Sequence, residues 1–169
     1  MHPTLGRRRE TLPQLGRRGG GWVALQIGLL MAIFLSALVG LGWPSQLEPL
    51  AYTIGGLLAA AGVGMLVAGG GALARVSAVT PFPAPRTGSN LQTSGIYRLV
   101  RHPMYGGGIL IALGWSTVFA TIAGLALTIV LAVFADLKAR REELWLEQTF
   151  AGYADYRRHT RRRLIPFVL

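Results

Sequence analysis

The apolar residues of this chain gather into three long runs, separated by a short proline-bounded turn and by a longer polar stretch rich in proline. The first runs from Trp22 to Trp43 and is interrupted only by Gln26 and Ser36. Its 22 residues match a hydrocarbon core of about 30 Å as a helix rising roughly 1.5 Å per residue. The tryptophan at each end suits the headgroup level. A turn through Pro44 and Pro49 leads into the second run, Leu50 to Ala74, which is rich in glycine and alanine. So much glycine weakens a helix in water, whereas in lipid small residues let helix backbones approach closely. The third run, Gly106 to Val133, would overshoot a bilayer as one straight helix. Divided near Ala120-Thr121, it becomes a hairpin of two short helices.

Charge placement decides for the hairpin. Of the 17 Lys and Arg, five precede the first run, four lie between Arg75 and Arg101, and eight follow from Lys138 onward. The 44–49 turn and the 119–123 region carry none. Four crossings put all three basic groups on the cytoplasmic side, as the positive-inside rule requires. Three crossings would send the eight-charge tail across. The arginines before the first run resemble the start of a signal peptide, but the run is too long for an h-region, so a retained helix is expected. The expected fold is all-α, a polytopic integral membrane bundle. A basic cytosolic tail over 1–21 precedes one membrane domain over 22–169. Its spans lie at about 22–43, 50–74, 106–119 and 121–137, with cytosolic segments at 80–105 and 138–167. Both termini are cytoplasmic, in the inner (plasma) membrane.

Composition agrees: 51% of residues are hydrophobic and only 14% charged. The absence of cysteine excludes a disulfide framework, a zinc-thiolate site and a cysteine nucleophile. A net charge of +10 raises nucleic acid as a partner, but basic residues bordering apolar runs read first as topology. The basic, aromatic tail from Tyr153 onward suits anionic headgroups better than nucleic acid. No metal-ligand spacing and no phosphate-binding glycine loop is present.

The candidate chemistry lies in two clusters. Prolines 81, 83 and 85 forbid a regular helix and carry the chain as an extended loop to Ser94-Gly-Ile-Tyr-Arg-Leu-Val-Arg-His-Pro-Met-Tyr105. Pro103 keeps His102 extended and suits the first turn of a new helix, which places His102 and Tyr105 at a helix N-terminus. There the backbone N–H groups and the helix dipole favour an anionic group. The second cluster, Asp136 to Glu147, continues the last apolar run as a helix. Lys138 and Glu142 share a face four residues apart, where a solvated ion pair is the plain alternative. Arg98 taken alone reads as a headgroup anchor. Together the clusters present a basic, aromatic, imidazole-bearing face and a carboxylate at one membrane surface, fit for an amino acid zwitterion and ribose hydroxyls.

The pattern Leu91-x-x-Ser-Gly-x-Tyr97-Arg-x-Val-Arg101-His102-Pro103-Met-Tyr105-x-Gly107 resembles the core motif of the isoprenylcysteine carboxyl methyltransferase family. Glu142-Glu143, Leu146, Phe150, a tyrosine pair and Arg-x-Leu-Ile-Pro166 resemble its second motif. Phospholipid N-methyltransferases and thiol methyltransferases share much of this pattern. The likeness spans roughly residues 80–167. It implies a membrane enzyme using S-adenosylmethionine, with Asn90, Leu91, Gln92, Tyr97, His102, Pro103, Met104, Tyr105 and Glu142 at the cofactor. Lys138 matches a substrate-side position that is usually arginine, and it keeps the charge without the planar fork. The Tyr153/Tyr156 pair sits one residue closer to Phe150 than the family pattern.

An already activated sulfonium methyl needs alignment and exclusion of water more than acid–base help. A carboxylate acceptor, with a pKa of about 4, needs no general base, whereas an amine would call on His102 or Glu142. No catalytic residue is therefore assigned. The expected function is methyl transfer to a lipophilic acceptor, a carboxylate first, with phospholipid amine and thiol as alternatives. A membrane reductase of sterol or isoprenoid type and a non-enzymatic membrane protein are the competing classes.

Overall fold

The computed structural model describes residues 13, 15, 16 and 18–165, with five α-helices, two 3-10 turns and no strand among them. The helices are α1 (Gly20–Leu35), α2 (Glu48–Arg75), α3 (Pro103–Val118), α4 (Ile122–Thr149) and α5 (Tyr153–His159). Three stretches are long and apolar enough to cross a membrane: Gly20–Val39, Glu48–Arg75 and Ile122–Thr149. At 16 residues, or about 24 Å, α3 is shorter. The basic tail before Pro13 and the arginine at position 17 lie outside the described residues, as does Pro166.

The α2–α3 contact is the tightest in the fold, and glycine makes it possible. A Cβ on Gly62 would lie 2.5 Å from the Gly107 carbonyl oxygen, and one on Gly114 would lie 2.5 Å from that of Gly55. The two helices thus run antiparallel with backbone against backbone, the close approach that small residues permit in lipid. The third apolar run does break, at Phe119–Thr121. Ala120 takes a positive φ of 48°, and Thr121 Oγ1 caps α4 by accepting from the Gly124 amide at 3.2 Å. At 28 residues, about 42 Å, α4 exceeds the hydrocarbon thickness, and its charged residues begin at Asp136.

The first run departs from expectation. It is not one helix to Trp43: α1 stops at Leu35, a 3-10 turn covers Ser36–Val39, and the chain then wraps the α3–α4 tip. Trp43 Nε1 donates to the Thr117 carbonyl at 2.6 Å, and the Leu41 amide donates to that of Ala120. These bonds satisfy carbonyls that the helix end leaves open, which outweighs continuing α1. Nor does Trp22 sit at the surface. It is 3% exposed and packs on Phe134, with ring centroids 5.5 Å apart.

Beyond α5 the chain straightens and crosses the start of α3. The Arg101 and His102 amides donate to the Arg162 and Arg163 carbonyls at 3.0 and 2.8 Å. Gly106 is where this strap touches α3, for a Cβ there would meet the Leu164 carbonyl oxygen at 1.9 Å. The Leu164 side chain joins Ile33, Ile109, Leu131 and Ala135 in the core between α1, α3 and α4.

Candidate active site

A cavity of about 380 Å³ opens among α1, α2, the start of α3, the middle of α4 and the proline-rich 80–90 segment. That is within the roughly 300–1,000 Å³ usual for small-molecule sites. Of the residues expected to carry chemistry, Asn90, Leu91, Gln92, Tyr97, His102, Met104, Tyr105, Lys138 and Glu142 all line it. Pro103 does not. It opens α3, as its position predicts, but it is buried, and its ring packs where Gly69 of α2 makes room.

His102 is the residue immediately before α3, with Tyr105 one turn inside the helix. Their rings lie parallel, 5.5 Å between centroids and 7° between planes. The Tyr105 hydroxyl donates to Glu142 Oε2 at 2.7 Å, and His102 Nδ1 stands 3.7 Å from the same oxygen. His102 Nε2 meets Glu143 Oε1 at 3.2 Å. The imidazole therefore bridges two adjacent glutamates of α4, which a helix turns about 100° apart.

Glu143, which the sequence marks as half of the glutamate pair but gives no site role, is the buried anchor. Its carboxylate takes Arg101 Nε at 2.8 Å, and Arg163 Nε lies 3.4 Å away. Arg101 also donates to the carbonyls of Thr160 and Arg161 at 2.6 and 2.7 Å, and Arg163 pairs with Asp136. With side chains only 5% and 6% exposed, the Arg101–Glu143 pair holds its charges by these extra bonds. Arg98, by contrast, is exposed.

Lys138 is 2% exposed and does not form the solvated i, i+4 pair that is the plain alternative to a site role. Its Nζ instead donates to Gln26 Oε1 of α1 and to the Pro81 carbonyl at 3.5 Å, and sits 5.1 Å from the Tyr105 ring centroid. Burial beside a neutral amide outcompetes the exposed geometry an ion pair with Glu142 would need. Gln26 went unremarked as a site residue. Its signal was present, because it is the one polar side chain between Trp22 and Leu35.

At the far end the cavity is walled by Leu91, Tyr97, Leu146, Phe150, Tyr153 and Tyr156. Tyr156 donates to the Tyr97 carbonyl at 2.7 Å, while the buried Tyr153 hydroxyl has no hydrogen-bond partner among the described residues. Burial first, then the Glu142 charge, pushes the Tyr97 hydroxyl above its ordinary pKa of 10.0. Burial also raises Tyr153 and Tyr156, so all three remain neutral donors at neutral pH.

No curated protein matches the chain. Over residues 50–152, from the start of α2 to the residue before α5, it matches the family model for phospholipid methyltransferase. That segment supplies His102, Tyr105, Lys138 and the Glu142-Glu143 pair. The chain therefore belongs to the phospholipid methyltransferase family of membrane methyltransferases, relatives of the isoprenylcysteine carboxyl methyltransferases.

Proposed function

We propose that this membrane methyltransferase uses S-adenosylmethionine and methylates a lipophilic carboxylate. The observation that carries the reading is the polar wall of the cavity. Lys138, a cation with no carboxylate within 4 Å among the described residues, lies one helical turn from Glu142 and against the same Tyr105 ring. The residues suit the donor. Glu142, backed by Tyr105 and His102, would hold its ammonium or ribose hydroxyls. The apolar end with the free Tyr153 hydroxyl would receive its base, and the 90–92 segment would close the rim. When bound, the donor supplies a sulfonium methyl, whose C–S bonding pair remains on sulfur as the acceptor oxygen forms the new C–O bond.

The protein's own part is to align and to exclude water. Lys138 attracts an anionic acceptor oxygen and disfavours an ammonium at the same place. A phospholipid amine is the second reading, favoured by the family match itself. Under it, His102 or Glu142 takes the proton that the amine must lose. The domain reading is one catalytic membrane domain over 22–169. We further propose four crossings, with α3 and α4 as the closing hairpin. Both termini, α5 and the site then face the cytoplasm, at the inner membrane.

Supplying membranes with methyl-labelled donor tests the chemistry. The expected product is a base-labile methyl ester. Label in a lipid amine would replace this reading with the second one. S-adenosylhomocysteine should bind wild type in detergent and bind Glu142→Gln about tenfold more weakly; equal affinity would remove Glu142 from the donor site.

A further inference from the structure

The acceptor's path through the molecule follows from a gap between two helices. α1 packs on α4 and α2 packs on α3, but α1 and α2 hardly touch. The cavity reaches into this gap, for Ile27 and Leu30 of α1 and Leu66 of α2 form its wall. Ile27 and Leu30 are also 56% and 39% exposed, so the wall is open toward the surrounding lipid. At the inner end stand Gln26 and Lys138. A smaller cavity beside them, between Leu131, Phe134 and Gly108, holds about 30 Å³, roughly the room of one water.

Gln26 is costly where it lies, since an unpaired amide in an apolar helix loses its hydrogen bonds to water. Its Oε1 accepts from Lys138 Nζ, which leaves its Nε2 without a protein acceptor among the described residues. The Lys138 ammonium and the Gln26 amide thus stand side by side at the inner end of the cleft. That is a socket for an acid oxygen.

Resting on the proposed methyl transfer, we propose that the α1–α2 cleft holds the acceptor's apolar chain and that Gln26, by fixing Lys138, sets where its carboxylate stops. α1 is then the acceptor-selecting wall, although it lies outside the 50–152 family match.

Two measurements in detergent test this. First, oleic acid bearing a diazirine in its chain is photo-crosslinked to wild type and the adducts are mapped. Adducts on 23–30 and 66–73 are expected, and adducts confined to the outer faces of α2 and α4 would overturn the proposal. Second, S-adenosylhomocysteine affinity and acceptor KM are read for Gln26→Leu, Leu30→Trp and, as a control away from the cavity, Leu38→Trp. Gln26→Leu is expected to raise the KM of a prenylcysteine carboxylate about tenfold while donor affinity stays within about twofold. Leu30→Trp is expected to shorten the longest chain accepted, and Leu38→Trp to change neither. Unchanged acceptor KM in both cavity variants sinks the proposal. If wild type fails to bind S-adenosylhomocysteine at all, the methyl-transfer reading fails instead, while the crosslinking map still decides the cleft.

Discussion

Two neighbouring glutamates divide the work at the residue scale. Glu143 is enclosed by Arg101, His102 and Arg163, and Glu142 faces the cavity with Tyr105 as its donor. Glu143→Ala leaves the buried Arg101 guanidinium without its carboxylate, while Arg163 keeps Asp136, and removing one partner of a buried pair costs about 3–5 kcal/mol. The melting temperature in detergent should fall sharply. Glu142→Gln should barely move it, because that side chain is 26% exposed and keeps an acceptor for Tyr105. A pH effect follows from the tyrosines. Tyr97, Tyr153 and Tyr156 all have pKa values raised in the folded protein above the ordinary 10.0. Their stabilisation is complete below pH 10. Above it the unfolded chain loses protons that the folded one keeps, so stability declines as pH rises further. Thermal melts should be flat in this respect to pH 9 and fall beyond pH 10, and Tyr97→Phe should blunt the fall. The residue types at the site were legible in the sequence, since Tyr97, His102, Tyr105 and Glu142 stand out between apolar runs. Their partners were not. Which glutamate is buried depends on what packs against each side of α4, and Gln26 meets Lys138 across 112 positions of chain.

Among the elements, α2 and α3 are held by the surfaces their glycines leave bare. Gly62→Ala should cost about 1–3 kcal/mol, because the new methyl meets the Gly107 backbone and no flexible side chain can yield. Gly64→Ala, with nothing within 4 Å, should be near neutral. Denaturation in detergent compares the two directly. Hydropathy alone marks both positions alike, and only helix phase and the partner separate them. The strap over the start of α3 makes a similar point. Gly106→Ala should dislodge Leu164 and with it the bonds from Arg101 and His102 to the 160–163 backbone. Hydrogen exchange at the Arg101 and His102 amides would report it. The sequence marks Gly106 merely as the start of an apolar run, and its role appears once the tail has folded back. Where α1 ends was equally invisible. An apolar run to Trp43 reads as helix until the α3–α4 tip presents carbonyls that need donors.

For the whole molecule, the proposed four crossings are open to a clean test, because the chain has no cysteine to mask. Single substitutions Ser45→Cys, Thr87→Cys and Gly152→Cys should split. The last two should react with an impermeant maleimide from the cytoplasmic side, and Ser45→Cys from the other. Labelling of all three from one side would overturn the topology. The linear chain by itself determined that this is a helical membrane protein, broken near Ala120, with a polar cluster at the start of α3 and another on α4. Hydrophobic length, charge and helix-starting residues are local properties, so they are written in order along the chain. Only the tertiary structure decided that both clusters share one cavity with α1, that Glu143 is an anchor while Glu142 is open, and that Lys138 turns to Gln26. Those outcomes depend on helix phase and on which faces meet. They arise from contacts between segments far apart in sequence, where burial and desolvation select among partners that composition leaves equivalent.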